Sequence, residues 1–186
     1  MQLKVETEKE AYGATIFFFI NGISFGLMWE RLGTYHAWSY AHLGPTIVGI
    51  PLVICICWGI YSLFSTSLLK KSANKFLYSS SPLVLSLFIE PCAIKLGLWN
   101  YFFLQGELLA LLPYLIIGYL LITISFNIIN SIGWKYISNQ NNPVTIVIII
   151  VSCMCLFAFN GLLVYSVLSI LYFKEIPTWL VSRILD

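Results

Sequence analysis

The chain has 186 residues, of which 59% are hydrophobic and only 10% are charged, and its net charge is +2. Soluble domains carry about 25% charged residues, and disordered chains combine low hydrophobicity with high net charge, so the composition excludes both classes. The ten lysines and arginines are dispersed along the chain, which excludes the basic stripe that nucleic acids require. The sequence predicts one all-α domain over residues 1–186, a polytopic bundle of transmembrane helices.

Five apolar segments are each long enough to cross a bilayer, because a helical span needs about 20 apolar residues. They run approximately over Ala11–Trp29, Gly44–Thr66, Phe76–Trp99, Leu108–Ile129 and Pro143–Phe173. The fifth segment is the longest and contains Asn160 and Gly161 near its middle, where it either bends as one helix or turns between two half-spans. We favour one bent helix, which predicts five spans, with six as the alternative.

The distribution of basic residues predicts the orientation of the chain. With five spans, more of the lysines and arginines lie on the side of the N-terminus, which indicates a cytoplasmic N-terminus. The first ten residues, MQLKVETEKE, lack the basic region of a signal peptide. We predict a location in the cytoplasmic membrane of a prokaryote, with the N-terminus in the cytoplasm.

A loop rich in aromatic and titratable residues follows the first segment. Glu30 ends that segment, and the loop then carries Tyr35, His36, Trp38 and Tyr40. Tryptophan and tyrosine form interfacial belts in any membrane protein, which explains part of this density. The remainder indicates a site that handles protons, with Glu30 and His36 as candidate bases.

The second segment contains a proline in its middle. Pro51 would free the carbonyl of Ile47 and bend the helix, and Trp58 follows seven positions later on nearly the same face. A bent span either packs in the core or opens a cavity at membrane depth.

Glu90 lies well inside the third segment and is the strongest functional signal in the chain. An ionised carboxylate at that depth is unfavourable by several kcal/mol, about 2.5–3.5 kcal/mol for Asp on insertion scales, and intramembrane acids are usually functional. Burial favours the neutral form, which suits a general acid. The structural alternative is a pair with Lys95, but five positions lies off the helical i, i+4 face unless Pro91 kinks the helix.

Other polar features are more simply explained. Glu107 at the start of the fourth segment suits the helix dipole. The five cysteines all lie in apolar runs, where thiols pack as small hydrophobic groups. The sequence contains neither metal-ligand spacing nor a dinucleotide fingerprint, so we expect no metal and no cofactor.

Two motifs resemble those of the membrane carotenoid biosynthesis proteins, the carotenoid 1,2-hydratases. In the first, GTYHAWSYAHLGPTIVGIPLVICICW, the matching aromatic residues are Tyr35, Trp38, Tyr40 and Trp58. In the second, IEPCAIKLGLWNY, they are Trp99 and Tyr101, and Glu90 stands at the acidic position of the family. A third family motif is represented here only by Pro113, Gly118 and Tyr119.

The resemblance and the placement of Glu90 lead to one hypothesis. The chain is expected to be a cofactor-free enzyme that protonates a terminal alkene of a lipophilic isoprenoid or carotenoid, with Glu90 as acid. Water addition would make it a hydratase and ring closure a cyclase; a membrane subunit or a proton-coupled transporter is the non-enzymatic alternative. The residues expected to line the substrate are Tyr35, Trp38, Tyr40, Trp58, Trp99 and Tyr101.

Overall fold

A computed structural model describes residues 8–67, 81–101, 111–168 and 170. Within these residues the chain is mostly helical, with five helices and four short strands. The helices are α1 (Glu8–His36), α2 (Leu52–Ser67), α3 (Ser81–Lys95), α4 (Leu111–Ser138) and α5 (Pro143–Leu168). The strands are β1 (Trp38–Tyr40), β2 (Thr46–Ile47), β3 (Ile50–Pro51) and β4 (Trp99–Tyr101). The all-α class predicted from the sequence agrees with this architecture.

Three of the described helices are long and apolar enough to cross a membrane. The candidate spans are Tyr12–Thr34, Leu115–Ser138 and Pro143–Leu168, with mean hydropathies of 1.3, 1.9 and 2.6. The most apolar, in α5, also turns many large side chains outward, among them Val147, Ile148, Val151, Leu156, Phe159 and Leu163. Soluble monomers rarely expose an apolar surface of this extent, and such a surface is compatible with a membrane protein.

Helix α1 lies at the centre and packs against α2, α4 and α5. Its residue Phe25 is fully buried, and its ring lies 5.1 Å from the ring of Trp58 and 5.0 Å from that of Phe126. A second, smaller core around Phe17, Phe18 and Trp134 lies nearer the other end of α1. The two cores join helices that are distant in sequence.

The structure corrects the predicted boundaries at the first two segments. Helix α1 continues to His36, so Glu30 lies inside the helix and does not open a loop. Pro51 does not bend a span, because it ends β3 and α2 begins at the next residue. The preceding residues form the β2–β3 turn, in which Val48 and Gly49 both have positive φ.

The later segments agree more closely with their predictions. Helix α5 runs unbroken through Asn160 and Gly161, as expected for one helix and not for a hairpin. Helix α3 continues past Pro91 but ends at Lys95, four residues before the predicted end of the third span at Trp99, and it is not among the candidate spans. Helix α4 extends nine residues beyond the predicted end at Ile129. Glu107 lies outside the described residues.

A buried polar network links α1, α2 and α4. The side-chain amide of Asn21 donates to Asn130 Oδ1 at 3.1 Å, and the amide of Asn130 donates to Ser62 Oγ at 3.0 Å and Thr66 Oγ1 at 2.8 Å. All four residues are at most 1% exposed. Polar groups buried in this way fix which helix faces meet, because any other packing leaves them unpaired.

Glycines allow α1 and α2 to approach closely. A Cβ atom added at Gly22 would lie 2.6 Å from Ser62 Cβ and 2.8 Å from the Cα of Gly59, and one added at Gly26 would lie 2.6 Å from Trp58 Cδ1. These two glycines are one helical turn apart, the spacing at which small residues let membrane helices pack against each other.

Gly22→Ala is expected to destabilise the protein, because backbone atoms of α2 would have to move. Overpacking of this kind typically lowers the free energy of unfolding by about 1–3 kcal/mol, which outweighs the gain of up to about 1 kcal/mol from helix propensity. Gly161→Ala is the matched control, since its nearest neighbour would be an ordinary contact at 3.5 Å. In thermal unfolding in detergent, we expect a lower melting temperature than the wild type for Gly22→Ala and a higher one for Gly161→Ala. Equal melting temperatures for the two variants would contradict the close packing.

Candidate active site

Two short strands of matching sequence form the framework of the site. Strand β1 reads Trp-Ser-Tyr and β4 reads Trp-Asn-Tyr, and they pair antiparallel with Trp38 opposite Tyr101 and Tyr40 opposite Trp99. A twofold rotation that exchanges β1 and β4 therefore superposes Trp38 on Trp99 and Tyr40 on Tyr101. Each strand follows a helix that carries a buried glutamate and precedes a further apolar helix. The units α1–β1–α2 and α3–β4–α4 are therefore two similar halves.

The turn that joins α3 to β4 explains how the second strand returns to its helix. Gly97 has φ +68°, which glycine adopts without strain. The N–H of Gly97 donates to the carbonyl of Ile94, and the N–H of Leu98 donates to that of Ala93. This pattern is a Schellman motif, and it directs Trp99 back toward Glu90.

Glu30 accepts hydrogen bonds from three aromatic side chains. Its Oε2 receives the indole N–H of Trp38 at 2.9 Å and the hydroxyl of Tyr40. Its Oε1 receives the indole N–H of Trp58 at 2.5 Å, from α2. Glu30 is only 4% exposed, so these donors replace the water that an exposed carboxylate would bind.

Glu90 has a matching set of three donors. Its Oε2 receives the indole N–H of Trp99 at 2.8 Å and the hydroxyl of Tyr101 at 3.0 Å. Its Oε1 receives the hydroxyl of Tyr119 at 2.6 Å, from α4. The strand residues lie 9 and 11 positions after Glu90, against 8 and 10 positions after Glu30 in the first half.

The two carboxyl groups belong to one site. Each of the three rings that bond Glu30 contacts a ring that bonds Glu90. Within the described residues, neither carboxyl group is bonded to a lysine or arginine. The alternative pairing of Glu90 with Lys95 is therefore wrong, and Lys95 is exposed.

Aromatic rings from both halves surround the carboxyl pair and contact each other across it. The ring centroids of Trp38 and Tyr101 lie 5.5 Å apart, and those of Tyr40 and Trp99 lie 6.0 Å apart. The rings of Trp58 and Tyr119 are stacked at 6.0 Å. Each contact joins one ring that bonds Glu30 to one that bonds Glu90, so the two halves are held in a fixed relation.

An open cleft adjoins the site at Tyr40. The cleft has a volume of about 410 Å³ and is lined by Thr34, Ser39, Tyr40, Ala41, His42, Leu43, Gly44, Thr46, Gly49 and Pro51. Burial, and then the charge of Glu30, raise the pKa of the Tyr40 phenol well above its usual value, so this group stays protonated. Tyr40 thus lies between a cleft with mixed polar and apolar walls and the buried carboxyl group of Glu30.

The structure brings together most residues singled out from the sequence. Both predicted glutamates and five of the six predicted aromatic residues converge on one site, namely Trp38, Tyr40, Trp58, Trp99 and Tyr101. The side chains of Tyr35 and His36 lie outside the described part of the structure. Tyr119 was not predicted, and its signal was its place in the weakly matched third motif.

Metal ligands are not grouped at this site. Among the described residues, no three side chains of His, Cys, Asp or Glu lie together as a metal site would require. The cysteines are free thiols.

Comparisons with known proteins give no relative. No protein-family profile, characterised protein or solved structure matches this chain. The resemblance to carotenoid hydratases therefore depends on the motif residues themselves.

Proposed function

We propose that the protein is an integral membrane enzyme of isoprenoid or carotenoid metabolism that adds water to a terminal alkene of a lipophilic polyene. The observation that carries this proposal is the buried pair of Glu30 and Glu90, each bonded to three tryptophan or tyrosine side chains. Such a site combines an acid, a base and aromatic walls, which are the parts that alkene protonation needs.

The reaction begins with proton transfer from the neutral carboxyl group of Glu90. The proton bonds to the less substituted carbon of the alkene, the π electrons form that C–H bond, and a tertiary carbocation and the Glu90 carboxylate result. Water then bonds to the cation through its oxygen, and Glu30 accepts the released proton. The product is a tertiary alcohol, and the proton now on Glu30 must return to Glu90 before the next turnover.

Aromatic faces suit the cationic intermediate. A cation over the face of a tryptophan or tyrosine is stabilised by about 2 kcal/mol when water is excluded. Trp38, Trp58 and Trp99 are the nearest candidates, because their N–H groups hold the carboxyl pair and their rings lie beside it.

The cleft beside Tyr40 favours hydration over ring closure. Tyr40 lines that cleft and its hydroxyl contacts Glu30, so the cleft is a route by which water would approach the base. In a cyclase the same acid would act, but a second alkene would replace water.

The bilayer explains how such a substrate reaches a buried site. A polyene dissolves in the hydrocarbon core, and the described helices include three that are able to cross it. We propose that the five helices form a polytopic bundle with the carboxyl pair between them, and that the substrate enters laterally from the lipid.

Expression in a host that makes acyclic carotenoids tests the proposal. We expect a new product whose mass exceeds that of the precursor by one water, detected by liquid chromatography and mass spectrometry. A product of unchanged mass would instead identify a cyclase. No new product relative to the empty vector, together with pH-dependent flux in vesicles, would support the transporter alternative and contradict the enzyme.

A further inference from the structure

Two buried carboxyl groups, whose donor rings contact each other, raise the question of where their protons lie. In a low dielectric, two carboxylates that lack a basic partner repel each other, and one of them holds a proton. Neither Glu30 nor Glu90 is bonded to a lysine or arginine within the described residues. We infer that the pair holds a single proton on Glu90 and that Trp58 and Tyr119 are the positioning residues that place it there.

The donors of Glu30 favour its ionised form. An indole N–H donates a hydrogen bond and cannot accept one. Trp58 donates to Oε1, whereas Trp38 and Tyr40 both donate to Oε2, so each oxygen of Glu30 accepts from an indole N–H. A proton on Oε1 would compete with the N–H of Trp58, and a proton on Oε2 would compete with the N–H of Trp38, which also lies 3.1 Å from the Tyr40 hydroxyl oxygen.

Glu90 has an oxygen that is free of this restriction. Trp99 donates to Oε2, whereas Oε1 faces the hydroxyl of Tyr119 at 2.6 Å. A phenol hydroxyl both donates and accepts. When Oε1 carries a proton, it donates to the Tyr119 oxygen and the hydrogen bond simply reverses.

The difference between the halves lies in the helix that follows each strand. Both strands supply one tryptophan and one tyrosine, and the third donor is Trp58 from α2 in one half and Tyr119 from α4 in the other. The two rings stack at 6.0 Å with an angle of 20° between their planes, so they occupy corresponding places across the site. This single exchange of tryptophan for tyrosine distinguishes two otherwise matched carboxyl groups.

The consequence for catalysis rests on the proposed function, whereas the position of the proton does not. If Glu90 alone is neutral, it is the acid, and the ionised Glu30 is the base that accepts a proton from water. The placement of tryptophan beside Glu30 and tyrosine beside Glu90 would then set the direction of proton transfer.

Infrared spectroscopy detects directly which carboxyl group is protonated. The C=O stretch of a protonated carboxyl group is separate from the bands of carboxylates, and a maltoside detergent adds no ester carbonyl to that region. At neutral pH we expect one such band in the wild type, with a shift in D2O. The band should vanish in Glu90→Gln and persist in Glu30→Gln. Loss in Glu30→Gln alone, or no band in the wild type, would overturn the inference.

Exchanging the two positioning residues is the sharper test. In the double variant Trp58→Tyr, Tyr119→Trp we expect the proton to move, so that adding Glu30→Gln removes the band and adding Glu90→Gln does not. Tyr119→Trp alone is expected to weaken the Glu90 band, while Tyr61→Phe, which alters a neighbouring tyrosine bonded to Thr123, should leave it unchanged. A band that follows Glu90 in every folded variant would contradict a role for these residues.

The outcomes separate this inference from the proposed function. A Glu90 band without conversion of any polyene would leave the proton placement standing and contradict the hydratase. If the protein makes hydrated product but its protonated-carboxyl band is lost in Glu30→Gln and kept in Glu90→Gln, the hydratase is supported and the assignment of Glu90 as the acid is overturned.

Discussion

Glu90→Gln is expected to abolish conversion of the polyene while the protein still folds. Glutamine keeps the shape of the side chain and can still accept hydrogen bonds through its oxygen, but it has no acidic proton to give to an alkene. Loss of a positioned general acid typically lowers the rate by about 10²–10⁴-fold, and here no described lysine or arginine contacts the carboxyl pair to take over. Product per cell and turnover of purified protein are the measurements.

The control for this variant is the same substitution away from the site. Glu10 lies in the first turn of α1, and Glu10→Gln should leave turnover unchanged. Circular dichroism and size exclusion establish that both variants are folded. Turnover by Glu90→Gln within a factor of a few of the wild type would exclude Glu90 as the acid.

The sequence led to Glu90 for a physical reason, and the structure places this carboxyl group in the buried site. A carboxyl group inside a long apolar run has few explanations other than function or pairing, and the pairing option needed Lys95 on the wrong helical face. The aromatic motifs led to Trp38, Trp58 and Trp99 because tryptophans at fixed distances from a glutamate matched a known pattern. Local sequence was sufficient for each of these predictions.

The pairing of the two halves could not be predicted from the sequence. Strands β1 and β4 have three residues each and lie far apart in the chain, so no periodicity marks them as partners. The likeness of Trp-Ser-Tyr to Trp-Asn-Tyr is too short to stand out as a repeat, and no internal repeat was predicted. Tyr119 was missed for the same reason, because its role depends on α4 packing beside α3.

The boundary errors at the first two segments have separate causes. The first segment was ended at Glu30, where polar and charged residues begin, but α1 continues to His36. Pro51 was expected to bend a span, but it ends β3 and α2 begins at the next residue. In the added part of α1, Gly33 makes room for the ring of Trp38 because it has no side chain. Gly33 therefore belongs to the framework of the site.

Gly33→Ala is accordingly expected to damage both stability and activity. A Cβ atom at this position would overlap the six-membered ring of Trp38, and Trp38 cannot move away easily. It is 3% exposed, packs against Trp29 and Tyr101, and donates to Glu30. Overpacking at such a position lowers the free energy of unfolding by about 1–3 kcal/mol, and displacement of the indole removes one donor from Glu30.

A double variant separates the clash from the lost hydrogen bond. Trp38→Leu removes the ring, so Gly33→Ala added to it should be far less destabilising than in the wild type, and the two changes should be strongly non-additive. Activity should stay low in the double variant, because leucine has no N–H for Glu30. Thermal unfolding and turnover of the four proteins complete the cycle. If Gly33→Ala destabilises the two backgrounds equally, the contact with Trp38 is not the cause, and the position of β1 against α1 would need another explanation.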